Sequence, residues 1–359
     1  MSHTNFVVSG LTAYIEQSRD LLIKNLLFGK GSRTRMTIQP GIKYKEHLHI
    51  FDVDPVFGDA SDCGFTAAGT ATLSERLIEV ASLNVNMELC DKNLIGTYAE
   101  YQVATAANDN PLPFEEYLMN GIIDGINRKI ETMIWQGDKT NASSDPVKKW
   151  INGIIALATA SVSSSTGVIS VTMTGLNAYE GVMAVYNALP ENVLERGAEI
   201  YVSPAIFRAF VQSLVNLNFY HYNPAAPADE VVIPGTDAKV VKVAGLAGSY
   251  SILGTYAKNL VYGTDGENDE EAIDAWFSQD DRTWKIAVEW KSGVQIAFLD
   301  QVALGTWSAA PSAATSVNAT LANIAESAGT IADSTDAISD ILDDVHNEDE
   351  HSLNSTATA

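Results

Sequence analysis

A strongly apolar helix near the middle of the chain constrains the fold more than any other feature. In residues 113–136, apolar side chains recur at steps of three and four: Leu118, Ile122, Ile126, Ile130, Met133 and Ile134. This spacing predicts a helix with one buried stripe, from which Glu115 and Glu131 point away. Pro113 suits its first turn, and Gly137 can take the left-handed conformation that ends a helix. Taken alone, the stripe also fits an ordinary core helix.

Charge is distributed unevenly along the chain. The formal net charge is -23, yet residues 1–50 carry seven Lys or Arg against three Asp or Glu, whereas residues 307–359 carry nine acidic side chains and no Lys or Arg. This asymmetry predicts that copies of the chain contact one another, with Lys30, Arg33 and Arg35 as interface candidates. Two solvated ends are the alternative. An acidic surface argues against sequence-specific reading of DNA, which requires a basic stripe.

The sequence gives no sign of a membrane or secretory protein. Two cysteines, Cys63 and Cys90, are too few for a disulfide framework. No apolar run approaches the roughly 20 residues that cross a bilayer, and no signal peptide is evident. We therefore expect a soluble protein, made in a cytoplasm, with no membrane partner.

The first part of the chain reads as an arm followed by a hairpin. Residues 1–36 combine a short amphipathic piece with a Gly-rich basic stretch, and we expect the core to fold without them. Residues 43–56 alternate as in a strand, which places His47, His49 and Phe51 on one face. A glycine-containing loop and a second extended run at 77–89 complete an extended hairpin.

The rest of the chain predicts a mixed α+β domain. Helical spacing recurs at 176–189 and 205–217, and a buried strand at 199–204 ends at a proline. Short strands joined by Gly and Asp turns follow, at 239–243, 251–253, 260–262, 272–277, 284–290 and 294–299.

The acidic tail combines a polar composition with a heptad-like seam. Apolar or small residues alternate steps of three and four: Leu321, Ile324, Ala328, Ile331, Thr335, Ile338, Leu342 and Val345. The seam predicts an amphipathic helix that needs a partner surface, with Ile331 and Ile338 as interface candidates. The composition alone would instead indicate disorder.

Chemistry at a site has little support in the sequence. His47 and His49 can hold a metal, but nothing identifies the third ligand that a site requires. Phosphate-loop, metalloprotease and nucleophile-elbow motifs do not occur. We therefore predict no catalytic residue, no metal and no cofactor.

Taken in order, these segments resemble the HK97-fold major capsid proteins of tailed phages. The central helix is similar to the spine helix of that family, and Tyr201-Val202-Ser203-Pro204 to its strand before a helix. The resemblance implies an N-terminal arm (1–36), an E-loop hairpin with flanking strands (37–95), and a peripheral domain with the spine helix (96–150). An axial domain (151–256) and returning peripheral strands (257–306) follow, and the acidic tail (307–359) is extra.

The resemblance implies a non-enzymatic subunit that self-assembles into pentamers and hexamers of an icosahedral phage head. The head would enclose double-stranded DNA without sequence-specific contact, with scaffolding, portal and other head proteins as partners. The chain would reside in the virion capsid, after assembly in the bacterial host cytoplasm. Alternatives are an encapsulin-like compartment, a tail or decoration protein, and, from a different class, a metal-dependent enzyme using His47 and His49.

Overall fold

The computed structural model describes residues 8–28, 31–57, 69–90, 114–140, 145–162, 167–218, 229–265, 272–281 and 283–314. The helices are α1 Val8–Phe28, α2 Phe114–Gln136, α3 Ile154–Ser161, α4 Ala178–Ala188, α5 Glu191–Glu195 and α6 Pro204–Asn216. The first strands are β1 Thr37–Gln39, β2 Lys45–Pro55, β3 Gly69–Glu79, β4 Ala81–Cys90, β5 Ile169–Val171, β6 Ala198–Val202 and β7 Glu230–Val232. The remaining strands are β8 Lys239–Lys242, β9 Ser251–Tyr256, β10 Leu260–Gly263, β11 Ala272–Ser278, β12 Thr283–Ile296 and β13 Ala303–Thr306.

One sheet of five strands is organised around β12. The strand order is β1-β10-β12-β11. Strand β4 pairs with residues 283–292 of β12, on the edge opposite β11. The sequence predicted two strands here, at 284–290 and 294–299, but β12 is continuous. Gly293 does not end it: a Cβ at this position would collide with the Glu79 carbonyl, so the glycine permits close packing within the strand.

A second sheet has six strands, in the order β5-β13-β9-β6-β8-β7. One face packs under α4 and α6, with Ile200 and Phe210 in that core. The other face contributes Tyr201 and Leu253 to the core around α2. Strand β13 lies here, between β5 and β9, and not beside β10 and β12. The segment 257–306, predicted as returning strands, is therefore divided between the two sheets.

The predicted central helix is confirmed as α2. The predicted stripe is buried at Ile126, Ile130, Met133 and Ile134, whereas in the first turns Met119 and Ile123 are buried and the predicted Leu118 and Ile122 are only partly buried. Glu131, expected to point away, is only 5% exposed. Gly137 does not have the positive φ of the left-handed conformation that the sequence predicted for it. Its role is close approach, because a Cβ there would lie 2.5 Å from the carbonyl oxygen of Ile151.

The N-terminal segment is not the free arm that the sequence predicted. Helix α1 buries five apolar side chains in the core of α2, namely Leu11, Ile15, Leu22, Leu26 and Leu27. A 3-10 turn at Ser32–Arg35 follows, and β1 then pairs in parallel with β10. Since this apolar surface is covered by the body of the subunit, the segment belongs to the folded core.

The extended hairpin exists, but its return strand differs from the prediction. Strand β2 pairs along its whole length with β3, from Lys45 opposite Glu79 to Pro55 opposite Gly69. The run predicted at 77–89 is divided at Val80: its first part ends the hairpin, and β4 joins β12 instead. Residues 58–68, at the tip, lie outside the described residues.

The start of the predicted acidic tail is anchored to the second core. The indole N–H of Trp307 donates to the Leu176 carbonyl (3.0 Å), and its ring occupies the space that a Cβ at Gly181 would fill. The backbone N–H of Ala314 donates to Ser213 Oγ (2.8 Å). Residues 315–359, which carry the predicted seam, lie outside the described residues. Within the described ranges, no helix is long and apolar enough to span a membrane.

Candidate assembly surface

The hairpin of β2 and β3 is held firmly at its base. Ile42, Ile78 and Val80 form a small buried cluster with Val261 of the five-stranded sheet. The backbone N–H of Val80 donates to the Tyr44 carbonyl (3.0 Å). Beyond this point, β2 and β3 pair only with each other. The described part of the hairpin is therefore a two-stranded ribbon that extends from a fixed base.

One face of this ribbon is apolar and exposed to solvent. Phe51 lies directly opposite Leu73, and the two side chains are 65% and 66% exposed. Val53 opposite Ala71 continues the row toward the tip. Phe57, the last described residue before the tip, is 96% exposed. We call Phe51, Val53 and Leu73 the apolar hairpin face. A contiguous exposed apolar surface on an isolated ribbon is typical of a site of protein association.

The same face is polar nearer its base. The Nδ1 atoms of His47 and His49 lie 3.2 and 3.3 Å from the two carboxylate oxygens of Glu75. Glu75 is directly opposite His49 and diagonal to His47. In the part of the chain that the structure describes, no group of three or more His, Cys, Asp or Glu side chains is arranged to hold a metal ion. The two histidines thus share a carboxylate partner across the strands.

A groove runs beside the outer surface of α2. It has a volume of about 600 Å³ and is lined by Met87 of β4 together with Tyr117, Leu118, Gly121, Ile122 and Gly125 of α2. No atom lies within 4 Å of the position that a Cβ at Gly121 would occupy. Because Gly121 and Gly125 have no side chain, the helix surface is recessed here and forms the floor of the groove. Asn120 and Asp124 are the polar members of a lining that is otherwise mostly apolar.

Arg33, an interface candidate from the sequence, is fully buried within the subunit. One terminal nitrogen of Arg33 donates to the carbonyls of Leu26 (2.6 Å) and Leu27 (3.1 Å), the last turn of α1. The other donates to Asn127 Oδ1 on α2 (2.7 Å). A cation at a helix C-terminus satisfies free carbonyls and complements the helix dipole. Arg33 therefore caps α1, and these hydrogen-bond partners lie within the subunit and not on a neighbouring copy.

Arg35 also has partners within the subunit. Its guanidinium contacts Glu199 on β6 (2.9 Å) and Glu230 on β7 (2.6 Å). The hydrogen bond from Arg35 lowers the pKa of Glu230 below its usual range. Burial, and next the charge of Glu199, raise the pKa of Tyr201 well above its usual value. The other interface candidates, Lys30, Ile331 and Ile338, lie outside the described residues.

Sequence reasoning missed Leu73 of the apolar hairpin face. Ala71 falls in the segment 55–72, which was interpreted as a glycine-containing loop, and Leu73 lies between that loop and the predicted run at 77–89. A period of two is nevertheless present there, since Thr70 and Thr72 alternate with Ala71 and Leu73. This alternation was the available signal for a strand.

No protein-family model matches the chain, and no curated protein matches it. Solved structures do share its fold. A chain of the satellite phage P4 procapsid including size determination (Sid) protein aligns with a TM-score of 0.56 at 13% identity, covering 83% of this chain and 96% of that chain. Chains of the native and empty GTA particle capsids align with a TM-score of 0.51 at 12% and 13% identity, covering 78% of this chain and 90% of theirs. The predicted resemblance in fold to phage-type capsid chains is thereby confirmed.

Proposed function

We propose that this chain is the major capsid protein of a tailed phage and self-assembles into pentamers and hexamers of an icosahedral head that encloses double-stranded DNA. One observation carries the proposal: 83% of this chain aligns with 96% of a procapsid chain, at a TM-score of 0.56. The exposed apolar hairpin face supplies the second support, because a subunit built for association must leave such a surface uncovered.

The parts of the subunit correspond to distinct roles in this proposal. The five-stranded sheet with α2 forms the peripheral domain, and α2 is its spine helix. The six-stranded sheet with α4 and α6 forms the axial domain near the capsomer centre. The hairpin of β2 and β3 is the E-loop, which lies against a neighbouring copy.

We assign the apolar hairpin face of one copy to the groove beside α2 of the next copy. Phe51 and Leu73 provide the apolar side chains, and Met87, Leu118 and Ile122 line the groove. Such a contact joins two different surfaces, so it is heterologous and forms a closed ring when the rotation between copies closes. A shell then gains its stability from many modest interfaces repeated by symmetry.

Other partners follow from the same role. DNA is packed without sequence-specific contact, as the acidic surface indicates, and scaffolding, portal and other head proteins complete the particle. The assembled chain resides in the virion capsid, after assembly in the bacterial host cytoplasm. Lys30 and the tail residues Ile331 and Ile338 remain candidates for contacts between copies, whereas we assign Arg33 and Arg35 to contacts within the subunit.

Expression alone and together with candidate scaffolding proteins tests the proposal, with negative-stain electron microscopy and light scattering as readouts. We expect rings of five or six copies, or closed shells. A 38.6 kDa monomer in every salt condition and with every scaffold would contradict it. Particles that enclose another protein and no DNA would indicate an encapsulin-like compartment.

A further inference from the structure

The turn Ser32–Arg35 contacts helix α2 on one side. The backbone N–H of Ser32 donates to Glu131 Oε1 (2.9 Å), and the indole N–H of Trp135 donates to Ser32 Oγ (2.7 Å). Gly31, with φ of 87°, precedes the turn, and a Cβ there would lie 2.6 Å from Glu131 Oε2. Only glycine combines this backbone conformation with so close an approach. The turn is thus fitted tightly against the last two turns of α2.

The same turn reaches the six-stranded sheet on its other side. Arg35 bridges Glu199 and Glu230, which lie on β6 and the edge strand β7. Lys239 of β8 also contacts Glu230, at 3.4 Å. Arg35 is therefore the cation that joins the two carboxylates, whereas Lys239 contacts only one of them from within the sheet.

These contacts close into a ring that joins the turn Ser32–Arg35, α2 and the six-stranded sheet. The hydroxyl of Tyr201 donates to Glu199 Oε2 (2.7 Å). The ring of Tyr201 lies 5.1 Å from the ring of Trp135, centroid to centroid. The circuit therefore runs from Ser32 to Trp135 and Tyr201, and through Glu199 to Arg35. A circuit of this kind is more rigid than its separate contacts, because each contact holds the next in place.

We propose that the turn Ser32–Arg35 is an intramolecular clamp that couples the docking of α1 to the orientation of the six-stranded sheet against α2. The coupling passes through the turn itself, because Arg33 caps the end of α1 and Arg35, two residues later, contacts β6 and β7. Displacing α1 then loosens the six-stranded sheet, and releasing the sheet loosens α1. The role of this device in a shell rests on the proposed function, since it would set the angle between the peripheral and axial domains.

Hydrogen exchange with mass spectrometry on the full chain tests the coupling. Arg35→Gln removes the bridge, and Lys239→Gln is the matched control, because it removes a cation from Glu230 and leaves the turn intact. In Arg35→Gln we expect the rate of exchange to rise by about tenfold in β6 and β7. We expect the same rise in the second half of α1, which ends at Phe28. In Lys239→Gln we expect a rise confined to β7 and β8.

A rise in Arg35→Gln that stays within β6 and β7 and leaves α1 unchanged would overturn the clamp. If that variant fails to fold, Glu230→Gln provides the test, since it removes one of the two carboxylates that Arg35 holds. Exchange in α1 equal to that of the wild type would then overturn the clamp as well. The result is separable from the proposed function, because exchange in unassembled subunits reports the coupling and electron microscopy reports particles.

Discussion

The hairpin and the N-terminal segment, which comprises α1 and residues 31–36, place their side chains in opposite ways. On the hairpin, the large apolar side chains Phe51 and Leu73 face solvent. In the N-terminal segment, five apolar side chains of α1 are buried and even the guanidinium of Arg33 is enclosed, with a hydrogen-bond acceptor on each terminal nitrogen. A buried charge whose terminal nitrogens are hydrogen-bonded within the subunit belongs to the subunit's own architecture, whereas an uncovered apolar row indicates a contact that another molecule supplies.

The contrast separates two kinds of experimental consequence. Changes in the N-terminal segment should affect the free energy of unfolding of the subunit. Changes on the apolar hairpin face should leave that free energy nearly unchanged and affect association.

The largest loss is expected where α1 packs into the core. Leu26→Ala should lower the free energy of unfolding by about 2–5 kcal/mol, because it opens a cavity between α1 and α2. Leu21→Ala is the control on the same helix: Leu21 is 58% exposed, and its loss should cost less than about 0.5 kcal/mol. Chemical denaturation measures both, and equal midpoints would mean that α1 does not dock.

A somewhat smaller loss is expected at the cap of α1. Arg33→Met should lower the free energy of unfolding by about 3 kcal/mol, because it leaves buried carbonyls and Asn127 without their charged donor. Arg128→Met, at an exposed position on α2, should change it by less than about 0.5 kcal/mol. Thermal denaturation compares the two. A stable Arg33→Met variant that fails to assemble would restore the contact between copies that the sequence suggested.

The contact between Arg35 and Glu230 should depend on pH. Near neutral pH, we expect Arg35→Gln to cost about 1–2 kcal/mol of unfolding free energy. The pKa of Glu230 is lowered in the folded state, so its contribution is present above the ordinary Glu value of about 4.3 and is lost as pH falls through the lowered pKa. Denaturation of wild type and variant across pH 3–7 should show the difference shrinking at the acidic end. A difference that grows toward acid would contradict this assignment.

The smallest effect on stability is expected on the hairpin. Leu73→Ala should change the free energy of unfolding by less than about 0.5 kcal/mol, because the side chain is mostly in water in the single subunit. Ile78→Ala, five residues away on the same strand, should cost about 2–5 kcal/mol, because Ile78 is buried at the hairpin base. Comparable losses in the two variants would show that the apolar face is covered within the subunit.

Much of the helical architecture follows from local periodicity. The interpretations of 113–136, 176–189 and 205–217 as helices correspond to α2, α4 and α6 within a few residues. Their stripes are visible because a helix brings residues three and four apart onto one face. The resemblance in overall fold was likewise apparent from the order of these segments.

Features that depend on distant partners were not predictable in the same way. Glu131 is buried because Ser32, 99 residues earlier, donates to it, and no local pattern records that contact. Gly293 interrupts the alternation of β12 because the backbone of Glu79 packs there. Arg33 and Arg35 looked like free surface charges because their partners lie on α1, α2, β6 and β7, which only the fold brings together.

Association through the apolar hairpin face is the central claim, and one paired measurement tests it most directly. The double variant Phe51→Lys, Leu73→Lys places two charges on that face. The double variant Thr70→Lys, Thr72→Lys adds the same charge to the opposite face of the same hairpin, on β3 alone. Light scattering and negative-stain electron microscopy should show assemblies for the wild type and the threonine variant, and folded unassembled subunits for the Phe51 and Leu73 variant. Assemblies formed equally well by both double variants would contradict the account.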